Sequence, residues 1–213
     1  MSIFGSGKKG AERKVSYERK SKETEIEIPL LNVDGGGRSE ISTSIGFLDH
    51  MLTLFAYHGF FDIQMKAKGD THVDKHHLNE DIAIALGESV KKALGDSGGI
   101  TRIASAEVPM DMASAKVLVD LSNRFSFKFK ITSSTGYEPD IEDEEGYSMH
   151  YAKDFLETFA KKLSMNLHVQ LSGDGDLHHY LEAVFKALGV ALDRATRIDP
   201  RREGEVPSSK GIL

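Results

Sequence analysis

The stretch DKHHLNEDIAIALG sets His76 and His77 just ahead of Glu80, and the chain repeats the pattern in DLHHYLEAVFKALG, with His178, His179 and Glu182. On a helix, positions four apart share a face, so His76 with Glu80, and His178 with Glu182, can each grip one metal ion. Adjacent residues point about 100° apart, which turns His77 and His179 toward a different partner. If all six are ligands, each motif serves two ions, and each His–Glu pair takes a further histidine from the other motif. Imidazole and carboxylate donors without thiolate suit manganese, iron, zinc or cobalt. A lone His-His pair is ordinarily a solvated helix start. The same four-residue spacing written twice is what points to metal.

Both motifs need partners on neighbouring elements. His50, in GFLDHML, sits on the helix before the first motif and is the best third donor. Aligning the two halves on their motifs puts Asp154 in the matching place, AKDFLETF against LDHMLTLF. His58, His72, His150 and His168 are weaker candidates. His72 and His168 fall on the strands leading into the motifs, where a substrate contact or the orienting of a ligand is expected.

The elements that must position these residues repeat as well. TEIEIPLL alternates like a strand, NVDGGGRS reads as a glycine turn, and EISTSIGF can be a further short strand. FLDHMLTLFAYHG has helical spacing and stops at Gly59; FFDIQMKAKGD returns to alternation. A helix then starts near His76, burying Ile82, Ala85, Leu86 and Val90, with Gly95 beyond its end. The second half runs through RIASAEVPMD, SAKVLVDLS and FSFKFKIT as strands, an acidic solvated loop at EPDIEDEE, a helix over YAKDFLETFAKKL and the strand MNLHVQLSG. Its last helix runs from His178, with Leu181, Val184, Leu188 and Leu192 inward. The expectation is an internally duplicated α+β fold with halves 1–99 and 100–213, each ordered βββαβα and each a four-stranded sheet backed by two helices.

Composition narrows the function classes. The 213 residues carry a formal charge of −6, which argues against a nucleic-acid surface, and no cysteine, which removes disulfides and a thiol nucleophile. No apolar run approaches the roughly 18 residues of a membrane span, and MSIFGSGKKGAERK lacks a secretory apolar core, so a cytoplasmic protein is expected.

Five segments, RKSKET (19–24), GFLDHML (46–52), HHLNED (76–81), HHYLEAVFKA (178–187) and PSSKG (207–211), occur in an order that resembles imidazoleglycerol-phosphate dehydratase of histidine biosynthesis. The resemblance implies loss of water from imidazole glycerol phosphate to give imidazole acetol phosphate. It implies two Mn2+ per active site, sites shared between subunits, and a shell of 24 identical chains. It puts His50, His77, His178 and Glu182 on one ion, and His76, Glu80 and His179 on the other. The fourth ligand of that second ion, a histidine in the family, is Asp154 here; a carboxylate could ligate in its place, or His150, one helical turn earlier, could substitute. Lys75, Asn79 and GDGDLHH are smaller departures.

The same resemblance implies a route through a metal-stabilised imidazolate, since the hydrogen on the substrate's C2 has no carbonyl beside it. It makes Glu23, in SKETEIEI, the acid/base carboxylate alongside Glu80 and Glu182; read alone, Glu23 is a solvated strand glutamate. Phosphate needs fixed positive charge. Arg102 and Arg124 are assigned to it by the resemblance. Lys186 falls two turns along the helix face of His178, and Ser208, Ser209 and Lys210 form a small-hydroxyl clamp. Arg19 and His58 complete the substrate-binding candidates. Three rivals are a ferritin-like di-metal bundle, which the strand content opposes, a dinuclear metallohydrolase, and a non-catalytic metal-binding relative kept open by Asp154.

Overall fold

A computed structural model describes residues 12–69, 71, 74–132, 146–202 and 204–212. The N-terminal stretch 1–11, His72 and the acidic run 138–145 lie outside them.

The first half contains β1 (Lys14–Lys20), β2 (Thr24–Asn32), β3 (Ser39–Ser42), α1 (Gly46–Gly59), β4 (Asp62–Gly69) and α2 (His76–Leu94). The second contains β5 (Ile103–Met110), β6 (Ala113–Asp120), β7 (Ser126–Thr132), α3 (Met149–Leu163), β8 (Asn166–Gly173) and α4 (Leu177–Thr196). Each half forms a four-stranded sheet of the same order, β1-β2-β4-β3 and β5-β6-β8-β7. In both, the first three neighbours pair antiparallel, and the last strand runs parallel to the one after its crossover helix. The α+β duplication expected from the repeated motifs is the observed architecture. The strand that spacing did not single out is β1, where KVSYERK buries neither face fully.

Alternation explains the sheets. In β2, Thr24, Ile26 and Ile28 are buried while Glu25 and Glu27 face water; in β6, Ala113, Ala115, Val117 and Val119 are buried. The helices cover the inner faces and pack across the duplication, α1 on α4 and α2 on α3. Two glycines at the same point of the two motifs permit those crossings. A Cβ on Gly189 would lie 2.5 Å from the Phe55 carbonyl oxygen and 2.9 Å from the Gly59 nitrogen. One on Gly87 would lie 2.8 Å from the Phe159 carbonyl oxygen and 3.2 Å from the Leu163 nitrogen. With sheet on one side and helix on the other, α4 is buried well beyond the predicted stripe, including Ala183, Phe185, Ala187 and Ala191.

The aspartate two places ahead of each His-His pair accepts from its helix start: Asp176 is the N-cap of α4, and Asp74 lies one residue before the N-cap of α2, Lys75. Asp74 Oδ1 accepts from the His76 N–H at 2.9 Å, and Asp176 Oδ1 from the His179 N–H at 2.8 Å. Each motif is therefore held at the first turn by its own acceptor.

Candidate active site

Cross-packing of α1 on α4 brings His50 to the second motif. His50 Nε2 lies 3.0 Å and His178 Nε2 3.1 Å from the same oxygen of Glu182, Oε1. Among the described residues these three form a group whose ligand atoms all lie within 4.8 Å of one another, the spacing a metal ion needs. The other oxygen, Oε2, accepts from Lys186 Nζ at 2.5 Å, and Lys186 also reaches Met110 Sδ at 3.3 Å. Glu182 is 8 % exposed. Burial alone would raise its carboxyl, but hydrogen bonds from Lys186, His50 and His178 outweigh that and hold it down at about 2. It is an ionised donor at neutral pH. Close by, burial lowers His58, with the positive charge of Lys186 adding to the effect, which keeps that ring neutral.

The first motif meets α3 instead. His76 Nδ1 lies 3.6 Å and His150 Nε2 3.2 Å from Asp154 Oδ2. Glu80 is half-buried on the same helix. Asn79 is fully buried; its Nδ2 donates to the Tyr151 carbonyl oxygen at 2.9 Å, and its Oδ1 accepts from the Tyr147 hydroxyl at 2.9 Å. Its polar side chain therefore joins the motif to the first turn of α3.

The second histidine of each pair does turn elsewhere. His77 Nδ1 lies 3.2 Å from Glu23 Oε2, and both side chains are exposed. His179 Nε2 lies 3.3 Å from Asp111 in the β5–β6 turn, and its Nδ1 3.1 Å from Asp176. Neither joins the group around Glu182 within this chain. His168 alternates with buried Leu167 and Val169, so it faces away from the helices and both clusters.

The phosphate candidates meet in a cleft of about 260 Å³ lined by Arg102, Ser122, Arg124, Ser208, Ser209, Lys210 and Ile212. Arg102 grips Asp120 with two nitrogens, at 2.6 and 3.1 Å, and donates from a third to the Pro207 carbonyl oxygen at 2.8 Å. Its φ of 75° is costly for a side chain of that size, so these contacts hold a strained backbone in place. Pro207 opens the PSSKG tail, which turns back through a Gly211 N–H to Ser208 carbonyl bond of 3.0 Å. Arg124 and Lys210 are exposed. Two expected substrate contacts lie elsewhere: Lys186 is on Glu182, and Arg19 bonds Asp81 at 2.9 Å.

Asn79, Asp111 and Ser122 were not singled out by spacing. Asn79 stands out only as a departure within the HHLNED segment, and nothing local marks the other two.

A sequence model described as imidazoleglycerol-phosphate dehydratase matches residues 43–192. The imidazoleglycerol-phosphate dehydratase of Geobacillus kaustophilus is 48% identical over 201 residues, covering 94% of this chain and 99% of that protein. That of Bacillus subtilis is 46% identical, covering 94% and 100%. Two crystal structures share the fold. IGPD from Pyrococcus furiosus in complex with (S)-C348 has a TM-score of 0.74 at 34% identity, covering 92% of this chain and 100% of its own. The Staphylococcus aureus imidazoleglycerol-phosphate dehydratase has a TM-score of 0.75 at 28% identity, covering 87% and 99%.

Proposed function

The chain belongs to the imidazoleglycerol-phosphate dehydratase family, and from that premise we propose that it removes water from D-erythro-imidazole glycerol phosphate to give imidazole acetol phosphate, a cytoplasmic step of histidine biosynthesis. The observation that carries the reading is the convergence of two imidazole nitrogens on one oxygen of the ionised Glu182. Two imidazoles and one carboxylate fit a divalent ion of the manganese, iron or zinc type. His50, His178 and Glu182 would hold one ion together with His77, and His76, Glu80 and Asp154 a second together with His179, in sites shared between subunits. When bound, the metal supplies stabilisation of negative charge on the substrate's imidazole ring.

The chain's own residues supply the rest. Lys186 occupies Glu182 Oε2 and so leaves Oε1 toward the two histidines. Glu23 is the acid/base group: an exposed carboxylate 3.2 Å from His77, open to the protons that must leave C2 and reach the departing hydroxyl. The phosphate belongs in the Arg124–Ser208–Ser209–Lys210 cleft, whose tail Arg102 fixes through Pro207. Among the described residues no helix is long and apolar enough to cross a membrane. Sites that need a second copy imply a homo-oligomer, for which we propose the 24-subunit shell.

Turnover of imidazole glycerol phosphate by purified, chelator-stripped protein tests the reading. Ketone product should appear only after Mn2+ is returned, and light scattering should report the shell. No product with any divalent ion, from an assembled oligomer, would refute it.

A further inference from the structure

The two clusters are related by the internal duplication, and that relation exposes an exchange of donors. Gly189 crosses α1 at Phe55 and Gly59, whereas Gly87 crosses α3 at Phe159 and Leu163. These contacts set Phe55 of α1 against Phe159 of α3. The same register sets His50 against Asp154, and Gly46 against His150. Where α1 has histidine, α3 has a carboxylate; where α1 has a glycine one turn earlier, α3 has a histidine.

The exchange keeps the chemistry of the group. Around Glu182 Oε1 stand the Nε2 atoms of His50 and His178. Around Asp154 Oδ2 stand Nδ1 of His76 and Nε2 of His150. Both place two imidazoles beside one carboxylate oxygen, but in the second the carboxylate comes from the packing helix and the set is more open: among the described residues, the ligand atoms that all lie within 4.8 Å of one another are those of His50, His178 and Glu182. His150 is 74 % exposed at its side chain, so packing alone does not hold it there.

Three polar contacts fix the turn that carries it. Asn79 donates to the Tyr151 carbonyl oxygen, the Tyr147 hydroxyl donates to Asn79, and the Tyr151 hydroxyl donates to Asp74 Oδ1 at 2.8 Å. In the other motif the buried Leu181 occupies the place of Asn79, and its apolar side chain cannot make such a tie. A buried amide in one motif is thus matched by a displaced histidine on the helix it holds.

We infer that His150 is the compensating imidazole ligand of the second metal subsite, acting with His76 and Asp154, and that Asn79 is its positioning residue. The inference rests on the metal-dependent reading above and deepens it. Asp154 together with Glu80 makes this subsite richer in carboxylate than the one around Glu182. It therefore favours Mn2+ over softer, imidazole-seeking ions more strongly than its counterpart does.

Binding of Mn2+ alone to the stripped, full-length oligomer is the test, read by calorimetry and by the electron paramagnetic resonance of free Mn2+. The native protein should take two ions per chain. His150→Gln should weaken one class of site by about 10- to 100-fold and leave the other unchanged, with oligomer size and circular dichroism intact. Asn79→Leu should weaken the same class less. Asp154→His in the His150→Gln background should restore both classes, a rescue that a merely structural role for His150 would not give. Two full-affinity classes in His150→Gln would overturn the assignment while leaving the dehydratase reading standing. A native protein that binds no Mn2+ would overturn both.

Discussion

In the first half Gly87 lets α2 lie against Phe159 and Leu163 of α3; in the second, Gly189 does the same for α4 against Phe55 and Gly59 of α1. The sheets agree strand for strand. Away from the backbone the agreement ends: Ile84 stands where the other motif has Lys186, Asn79 where it has Leu181, and Asp62 where it has Asn166. A change at a helix crossing must move two elements at once, because closely packed interiors do not deform continuously. A change at a cluster needs only one new partner. The halves share what the backbone demands and differ where a side chain can be re-paired singly.

The largest expected effect falls on Glu182, which holds both histidines and Lys186. Glu182→Gln should cut kcat/KM for imidazole glycerol phosphate by about 10³-fold, equivalent to about 4 kcal/mol, with the fold retained. A loss confined to KM would mean that the carboxylate binds substrate rather than anchoring the cluster.

The crossings come next. Gly189→Ala pushes a methyl to 2.5 Å from a carbonyl oxygen and 2.9 Å from a backbone nitrogen. It should cost about 3 kcal/mol of stability, and Gly87→Ala, with its nearest clash at 2.8 Å, about 2 kcal/mol. Thermal unfolding of the two variants ranks them. If either is neutral, the crossings are not the shared constraint argued above.

Lys186→Met should follow, with a loss of about 10- to 100-fold in kcat/KM, since Glu182 Oε2 loses its donor and the carboxylate is free to rotate. Ile84→Met, its counterpart on α2, is a volume-conserving swap in the core and should leave activity near native. Equal losses would deny that the lysine sets the halves apart.

These contrasts also explain what was legible beforehand. The duplication could be read because its signals are periodic: apolar alternation in β2 and β6, the glycine ending α1, and the repeated His-His-x-x-Glu. His50 was reachable from its place one helix before the motif. β1 escaped because KVSYERK has no fully buried face. Asp111 and Ser122 escaped because a turn and a strand end become neighbours of His179 and Arg102 only through β5–β6 pairing and the returning tail. Lys186 was placed on the correct helix face, but a sequence does not say whether a lysine reaches a phosphate or the glutamate one turn before it.

The smallest effect tests the comparison at the first residues of β4 and β8. Asp62 accepts from the backbone N–H groups of Gly36 and Arg38 at 2.9 and 3.0 Å and from Arg38 Nη2 at 2.9 Å. Asn166 instead donates to Ser122 Oγ at 2.8 Å and to the Arg124 carbonyl oxygen at 3.2 Å. One loop presents donors and needs a carboxylate; the other presents a carbonyl and needs an amide. The Arg38 hydrogen bond, aided by the two N–H groups against the opposing effect of burial, holds Asp62 at about 2. A depressed carboxyl contributes stability that is complete above its ordinary value of 3.8 and is lost as pH falls through about 2. Because Arg38 is exposed, screening leaves a contribution of about 1–2 kcal/mol. Asp62→Asn should therefore unfold at lower denaturant than the native protein at neutral pH, and the gap should close between pH 4 and pH 2. Asn166→Asp should run the other way, least stable at neutral pH, where a charged oxygen faces the Arg124 carbonyl, and recovering as it is protonated. A gap for Asp62→Asn that does not change with pH would show that the loop needs only the shape of the side chain, and the two strand ends would then be interchangeable.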